Sequence, residues 1–117
     1  MTRPDACETM ADVRAGIDEL DRNLVQLLAE RMRYIAAAAR IKPDRDAVRD
    51  EWRKADVLAK VATAADAEGF PQALSQQLWE LLVEGSIAAE FEMFDAASNG
   101  ASDGTRTRDL RRDRPAL

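Results

Sequence analysis

Residues 11–42 read ADVRAGIDELDRNLVQLLAERMRYIAAAARIK, and their apolar spacing decides the fold. Val13, Ile17, Leu20, Leu24, Leu27, Leu28 and Ile35 recur largely at intervals of three and four, which places them on one stripe of an α-helix. Pro43 ends that helix, because the residue before a proline is pushed out of the helical region. A helix from near Ala11 to Ile41 is about 46 Å long at 1.5 Å per residue. A compact domain of about 100 residues has a radius of gyration near 13 Å. Two shorter helices of the same chain cannot wrap such a rod. The pattern therefore predicts an intertwined homodimer in which the first helix of each protomer is buried against the other.

Working outward, Asp44 or Asp46 is placed to cap a second helix carrying Val48, Trp52, Ala55, Leu58 and Ala62 on one face, and Gly69 is placed to stop it. Pro71 suits the first turn of a third helix that runs to about Ala97. That helix has two apolar faces, Leu74, Leu78, Leu81 and Leu82 on one and Trp79, Val83, Ile87 and Phe94 on another, so it needs two neighbours. No run of alternating β-branched residues interrupts the helical pattern. The expectation is an all-α chain of three helices over residues 1–97, with the first helix the longest. The last stretch, 98–117, carries five Arg against three Asp with almost no apolar residues and reads as a disordered basic tail.

The remaining composition narrows the chemistry. At 117 residues the chain is one domain by length. Its formal net charge of -5 gives no basic field for nucleic acid. It contains no histidine, which removes imidazole acid–base chemistry, His-centred triads and His-ligated metals. Cys7 is the single cysteine, so neither an intrachain disulfide nor a multi-cysteine metal site can form. The first residues lack the apolar core of a signal peptide, and no stretch approaches the roughly 18 apolar residues of a membrane span. These features predict a cytoplasmic protein with no metal, membrane or nucleic-acid partner. Its chemistry must rest on Arg, Lys and carboxylates.

Several charged residues interrupt the apolar stripes. Arg31 lies between Leu27 and Ile35 on the core-facing side of the first helix, and a charge there must be paired or must face a cavity. Lys42 follows Arg31 by three turns plus about 20°, so both project from nearly the same face. It is equally placed to stabilise the helix C-terminus by its charge. Arg14 is rotated by about 260° from Arg31 and points elsewhere. If the three serve one site, Arg14 comes from the other protomer, although it is also spaced to pair with Asp18 at i, i+4. On the third helix, Glu90 falls within one position of the line through Trp79, Val83, Ile87 and Phe94, one turn beyond Ser86. Burial there disfavours an ionised carboxylate unless a cation pairs with it. Asp50 and Arg53 are i, i+3 neighbours that can form a surface ion pair.

Taken together, ADVRAGIDELDRNLVQLLAERM, the ARIK ending, VRDEWR on the second helix and LLVEGSIAAE on the third resemble the all-helical, type II-like chorismate mutases and their relatives, the isochorismate-pyruvate lyases of salicylate formation. The resemblance covers about residues 10 to 95. It implies a homodimer of three-helix chains with two equivalent active sites, each closed by an Arg of the partner's first helix, and no cofactor. By position, Arg14 is implied as that cross-protomer residue. Arg31 and Arg53 are implied to hold substrate carboxylates, and Lys42 to contact a carboxylate and the ether oxygen of the breaking bond. Asp50 and Ser86 are implied to line the pocket.

The implied chemistry suits these residues. Chorismate is a dianion, and its Claisen rearrangement to prephenate needs capture of the reactive conformer and stabilisation of charge on the ether oxygen, with no proton transfer. Two positions depart from the family pattern. Glu90 stands where Gln often donates to the ether oxygen, and only a protonated Glu can donate there. Lys54 stands where mutases commonly place a Glu that accepts from the ring hydroxyl; a lysine can instead donate to it or leave the pocket. Within the resemblance, VRDEWR and Ser86 favour the mutase reaction, with elimination of pyruvate from isochorismate as its alternative. A non-catalytic helical dimer is a third reading, and it requires Arg31 to be paired with an internal carboxylate.

Overall fold

The computed structural model describes residues 2–103. Its elements are α1 (Met10–Ile41), α2 (Glu51–Glu68) and α3 (Gln72–Asp103), with short 3-10 turns at Pro4–Ala6 and Arg45–Ala47. No strand occurs among the described residues, so the three-helix, all-α expectation holds. The chain divides into two compact units, Met1–Tyr34 and Ile35–Leu117.

In the first unit, the start of α1 is set by a reciprocal cap. Thr9 Oγ1 accepts from the Asp12 N–H at 3.1 Å, while Asp12 Oδ2 accepts from the N–H groups of Glu8 at 3.1 Å and Thr9 at 3.3 Å. These donors would otherwise be unsatisfied, and such a cap stabilises a helix by about 1 kcal/mol. The Glu8 N–H, the largest influence, holds the Asp12 carboxyl below its ordinary range. The apolar stripe of α1 lies open: Ile17, Leu20, Leu24, Leu27 and Leu28 are between 41% and 66% exposed.

In the second unit, the Lys42 N–H gives the last helical hydrogen bond to Ala38 O at 3.0 Å, and Pro43 follows. Asp44 then caps only the 3-10 turn, accepting from the Ala47 N–H at 3.2 Å. Val48 is 3% exposed, and Asp50 caps α2 by accepting from the Arg53 N–H at 3.0 Å. The second helix thus begins at Glu51 and not directly after Asp44 or Asp46, because the chain first turns to bury Val48. This shifts the face of α2. Lys54, Asp56, Val57, Leu58, Val61, Ala62 and Ala65 are its less exposed positions, while Trp52 and Ala55, expected on one face with Leu58 and Ala62, are exposed, Trp52 at 75%.

Gly69 ends α2 as expected. Its φ of 73° is left-handed, a region costly for residues with a Cβ, and it lets the Phe70 N–H reach Ala65 O at 2.8 Å. Pro71 immediately precedes α3 and its carbonyl accepts from the Ser75 N–H at 3.0 Å. The Gln72 amide donates to Ala62 O at 2.8 Å, fastening the first residue of α3 to α2. α2 packs on α3, and the Arg45–Ala47 turn rests on α3 as well. α3 continues past the expected end at Ala97 to Asp103. A single interior glycine, Gly100, costs only about 1 kcal/mol and does not stop it. The remainder of the expected tail, 104–117, lies outside the described residues.

Candidate functional site

The inner face of α3 carries three buried polar residues, Ser75, Ser86 and Glu90, around the buried Val83. Ser86 and Glu90 are one turn apart, so their side chains leave the same side of the helix. Ser86 Oγ donates back to Leu82 O at 2.7 Å, an arrangement open to serine inside a helix. Glu90 has a side chain only 5% exposed and lies beside the end of α1, where its Oε2 is 2.6 Å from Lys42 Nζ. The condition under which a carboxylate tolerates that position, a cation beside it, is met by Lys42.

This contact is close in charge but poorly aligned. Glu90 Oε2 has no hydrogen bond of acceptable angle, and Lys42 Nζ donates to Val48 O at 3.4 Å instead. The distance establishes an ion pair. The Lys42 side chain remains 27% exposed, so the ammonium has one side on the buried carboxylate and another toward solvent. A buried carboxyl and a reachable ammonium, side by side, can cover a single oxygen atom of a bound anion.

The neighbouring charges belong to the stretch that carries Lys42. The Arg45 guanidinium contacts Asp95 at 3.0 and 3.4 Å through two nitrogens and lies over the Phe91 ring, 4.5 Å from its centroid. Arg49 Nη2 is 2.6 Å from Glu84 Oε1, and its Nη1 is 2.8 Å from Glu51. Lys54 Nζ reaches Glu84 at 2.7 Å and Glu80 at 2.9 Å. The Arg49 and then the Lys54 hydrogen bonds lower the Glu84 carboxyl to about 2, while the same pairing, led by Glu84, raises Arg49 and Lys54. Lys54 is therefore committed to two carboxylates of α3.

The predicted residues distribute as follows. Lys42 and Glu90 are in contact, with Ser86 one turn away on α3. Asp50 and Arg53 do not form the expected ion pair. The Asp50 carboxylate takes the Arg53 backbone N–H, and the Arg53 guanidinium turns to Asp56 at 2.6 Å, which also holds Lys60 at 2.9 Å. Arg53 cannot serve both ends, because as third residue of α2 its N–H faces the cap while its side chain points outward along the first turn. Arg14 and Arg31 lie on α1 in the first unit, Arg14 exposed and Arg31 partly buried. Sequence reasoning missed Arg45 and Arg49. The signal for them is a set of acids on α3, Glu80, Glu84 and Asp95, that a cation-rich stretch facing α3 must neutralise.

Among the described residues, no cluster of His, Cys, Asp or Glu is arranged to hold a metal ion, and no helix is long and apolar enough to cross a membrane. The sequence profile of the family described as chorismate mutase type II matches residues 13–91. The chain is also similar to the isochorismate pyruvate lyase of Pseudomonas aeruginosa, with 32% identity over 92 residues that cover 79% of this chain and 91% of that protein.

Proposed function

Because this chain belongs to the chorismate mutase type II family, we propose that it rearranges chorismate to prephenate, in a homodimer whose two sites each draw on both protomers. The observation that carries the reading is the Lys42–Glu90 pair, a partly exposed ammonium 2.6 Å from a buried carboxyl. The reaction needs positive charge or a donated hydrogen bond where negative charge grows on one ether oxygen as the C–O bond breaks. Lys42 supplies the charge. Glu90 stands 2.6 Å from that ammonium, and its carboxyl in the acid form can donate to the same oxygen. No nucleophile, base or cofactor takes part, because the bond changes occur within the substrate once its two reacting carbons are held in contact.

In this reading Arg31 and Arg53 bind the two substrate carboxylates, with Arg14 of the partner closing the site. Arginine suits the task because its planar fork matches a carboxylate and stays charged at any working pH. Arg53 then exchanges Asp56 for substrate, a small cost because the Arg53 side chain is 58% exposed and Asp56 keeps Lys60 at 2.9 Å. Asp50 holds the first turn of α2, and Ser86 lines the wall beside Glu90. The open stripe of α1 supports the second copy: leaving Ile17, Leu20, Leu24, Leu27 and Leu28 half exposed forgoes about 25 cal/mol for each Å² of apolar surface that a partner helix would cover.

A second reading, elimination of pyruvate from isochorismate, is favoured by the similarity to the lyase named above. It breaks the same kind of ether bond and asks for the same charges. Incubating the purified protein separately with chorismate and with isochorismate, while following loss of each and appearance of prephenate or of salicylate and pyruvate, decides between them. Prephenate from chorismate supports the first reading. Turnover of isochorismate alone transfers the conclusion to the second, and inertness toward both at pH 5 and at pH 7.5 removes both.

A further inference from the structure

Resting on the reading that Lys42 touches the substrate, we infer that Arg45 is a positioning residue that clamps the Lys42–Val48 turn onto α3 and so fixes where the Lys42 ammonium stands. Lys42 lies between the end of α1 and a turn whose backbone contributes one of its contacts, the Val48 carbonyl at 3.4 Å. The turn itself is short. Its backbone is held by Ala47 N–H to Asp44 O at 3.2 Å and Val48 N–H to Arg45 O at 3.1 Å. A turn of this size has little stability of its own.

Arg45 joins it to α3 in two ways at once. Its guanidinium takes both Asp95 oxygens, at 3.0 and 3.4 Å, and lies over Phe91 at 4.5 Å. A planar fork can do both, and an ammonium cannot present the same plane. Phe91 directly follows Glu90 on α3, and Asp95 lies one turn past Phe91. The clamp thus grips the helix next to the carboxyl that faces Lys42, and an ångström of slack at Arg45 passes to the ammonium. Arg49 on Glu84 at 2.6 Å fastens the far end of the stretch, so Arg45 is the fastening nearest Lys42.

The test uses the full chain and the variants Arg45→Ala, Arg45→Lys, Asp95→Ala, the double alanine variant and the exchanged pair Arg45→Asp with Asp95→Arg. Turnover of chorismate and of isochorismate is measured for each, together with amide hydrogen exchange at Ala47 and Val48 and the rate at which Lys42 is reductively methylated, read by mass spectrometry. The clamp predicts a three- to tenfold loss of kcat/KM in either single alanine variant, the range expected of a partly exposed fork plus a cation–π contact. It predicts a loss in the double variant no larger than in Arg45→Ala, partial recovery in Arg45→Lys and partial recovery in the exchanged pair, which restores the charge pair but not the contact with Phe91. Methylation of Lys42 and exchange at Val48 quicken in step with the loss. A Lys42 labelling rate and Val48 exchange unchanged in Arg45→Ala overturn the clamp, whether or not the protein is active. Faster labelling with unchanged kcat/KM overturns its role in positioning. A wild-type protein inert toward both substrates, with labelling still governed by Arg45, leaves the clamp standing and removes the reading of the site.

Discussion

Replacing Lys42 by methionine keeps most of the side chain's length and removes the charge beside Glu90, whose side chain is 5% exposed and whose Oε2 has no aligned hydrogen bond to fall back on. A buried carboxylate stripped of its cation costs about 3 to 5 kcal/mol. Urea denaturation followed by circular dichroism, at pH 7 and at one protein concentration, measures this. The expected loss in Lys42→Met is about 3 kcal/mol, and adding Glu90→Gln restores most of it by making the buried group neutral. A loss below about 0.5 kcal/mol, the size of an exposed ion pair, would refute the reasoning.

Other perturbations separate the parts of the account. Glu84, lowered to about 2 by Arg49 and Lys54, contributes stability that is complete above its ordinary value near 4.5 and is lost as pH falls toward 2; thermal melts across that window should show a steeper acid loss in wild type than in Glu84→Gln. Donation from Glu90 to the substrate should survive in Glu90→Gln, whose amide also donates, and fail in Glu90→Ala; equal kcat/KM in the two variants removes the donor role. Leu24→Lys places a charge in the middle of the open α1 stripe, and sedimentation should show the dimer weakened by at least tenfold, since burying an unpaired charge costs more than the 1.4 kcal/mol that tenfold represents.

The long helix was legible because its ends carry strong local signals: Pro43 stops it, and the periodicity from Val13 to Ile35 admits no other element. Gly69 was legible for the same reason, since only a left-handed residue closes α2 onto Phe70. The start of α2 was not. Three aspartates, Asp44, Asp46 and Asp50, stand within seven positions and each can cap a helix. Asp50 caps α2 because Val48 is drawn inward first, a tertiary fact that no local window holds. The pairing of Lys42 with Glu90 was half visible: the position of Glu90 on an apolar line demanded a cation without naming it. Arg45 escaped notice because its partners, Phe91 and Asp95, lie about 50 residues away in sequence, where only the packing of the turn on α3 brings them together.

The claim beneath all of this is that one site takes charged groups from two copies of the chain. Arg14→Ala and Arg31→Ala proteins, each nearly inactive alone, can be mixed, partly unfolded and refolded together so that their protomers exchange. Half of the resulting dimers are then hybrids with one site intact and one lacking both arginines, so the account predicts recovery of about a quarter of wild-type activity toward chorismate. Activity that stays at the level of the separate variants after exchange has been verified by mass spectrometry would contradict it.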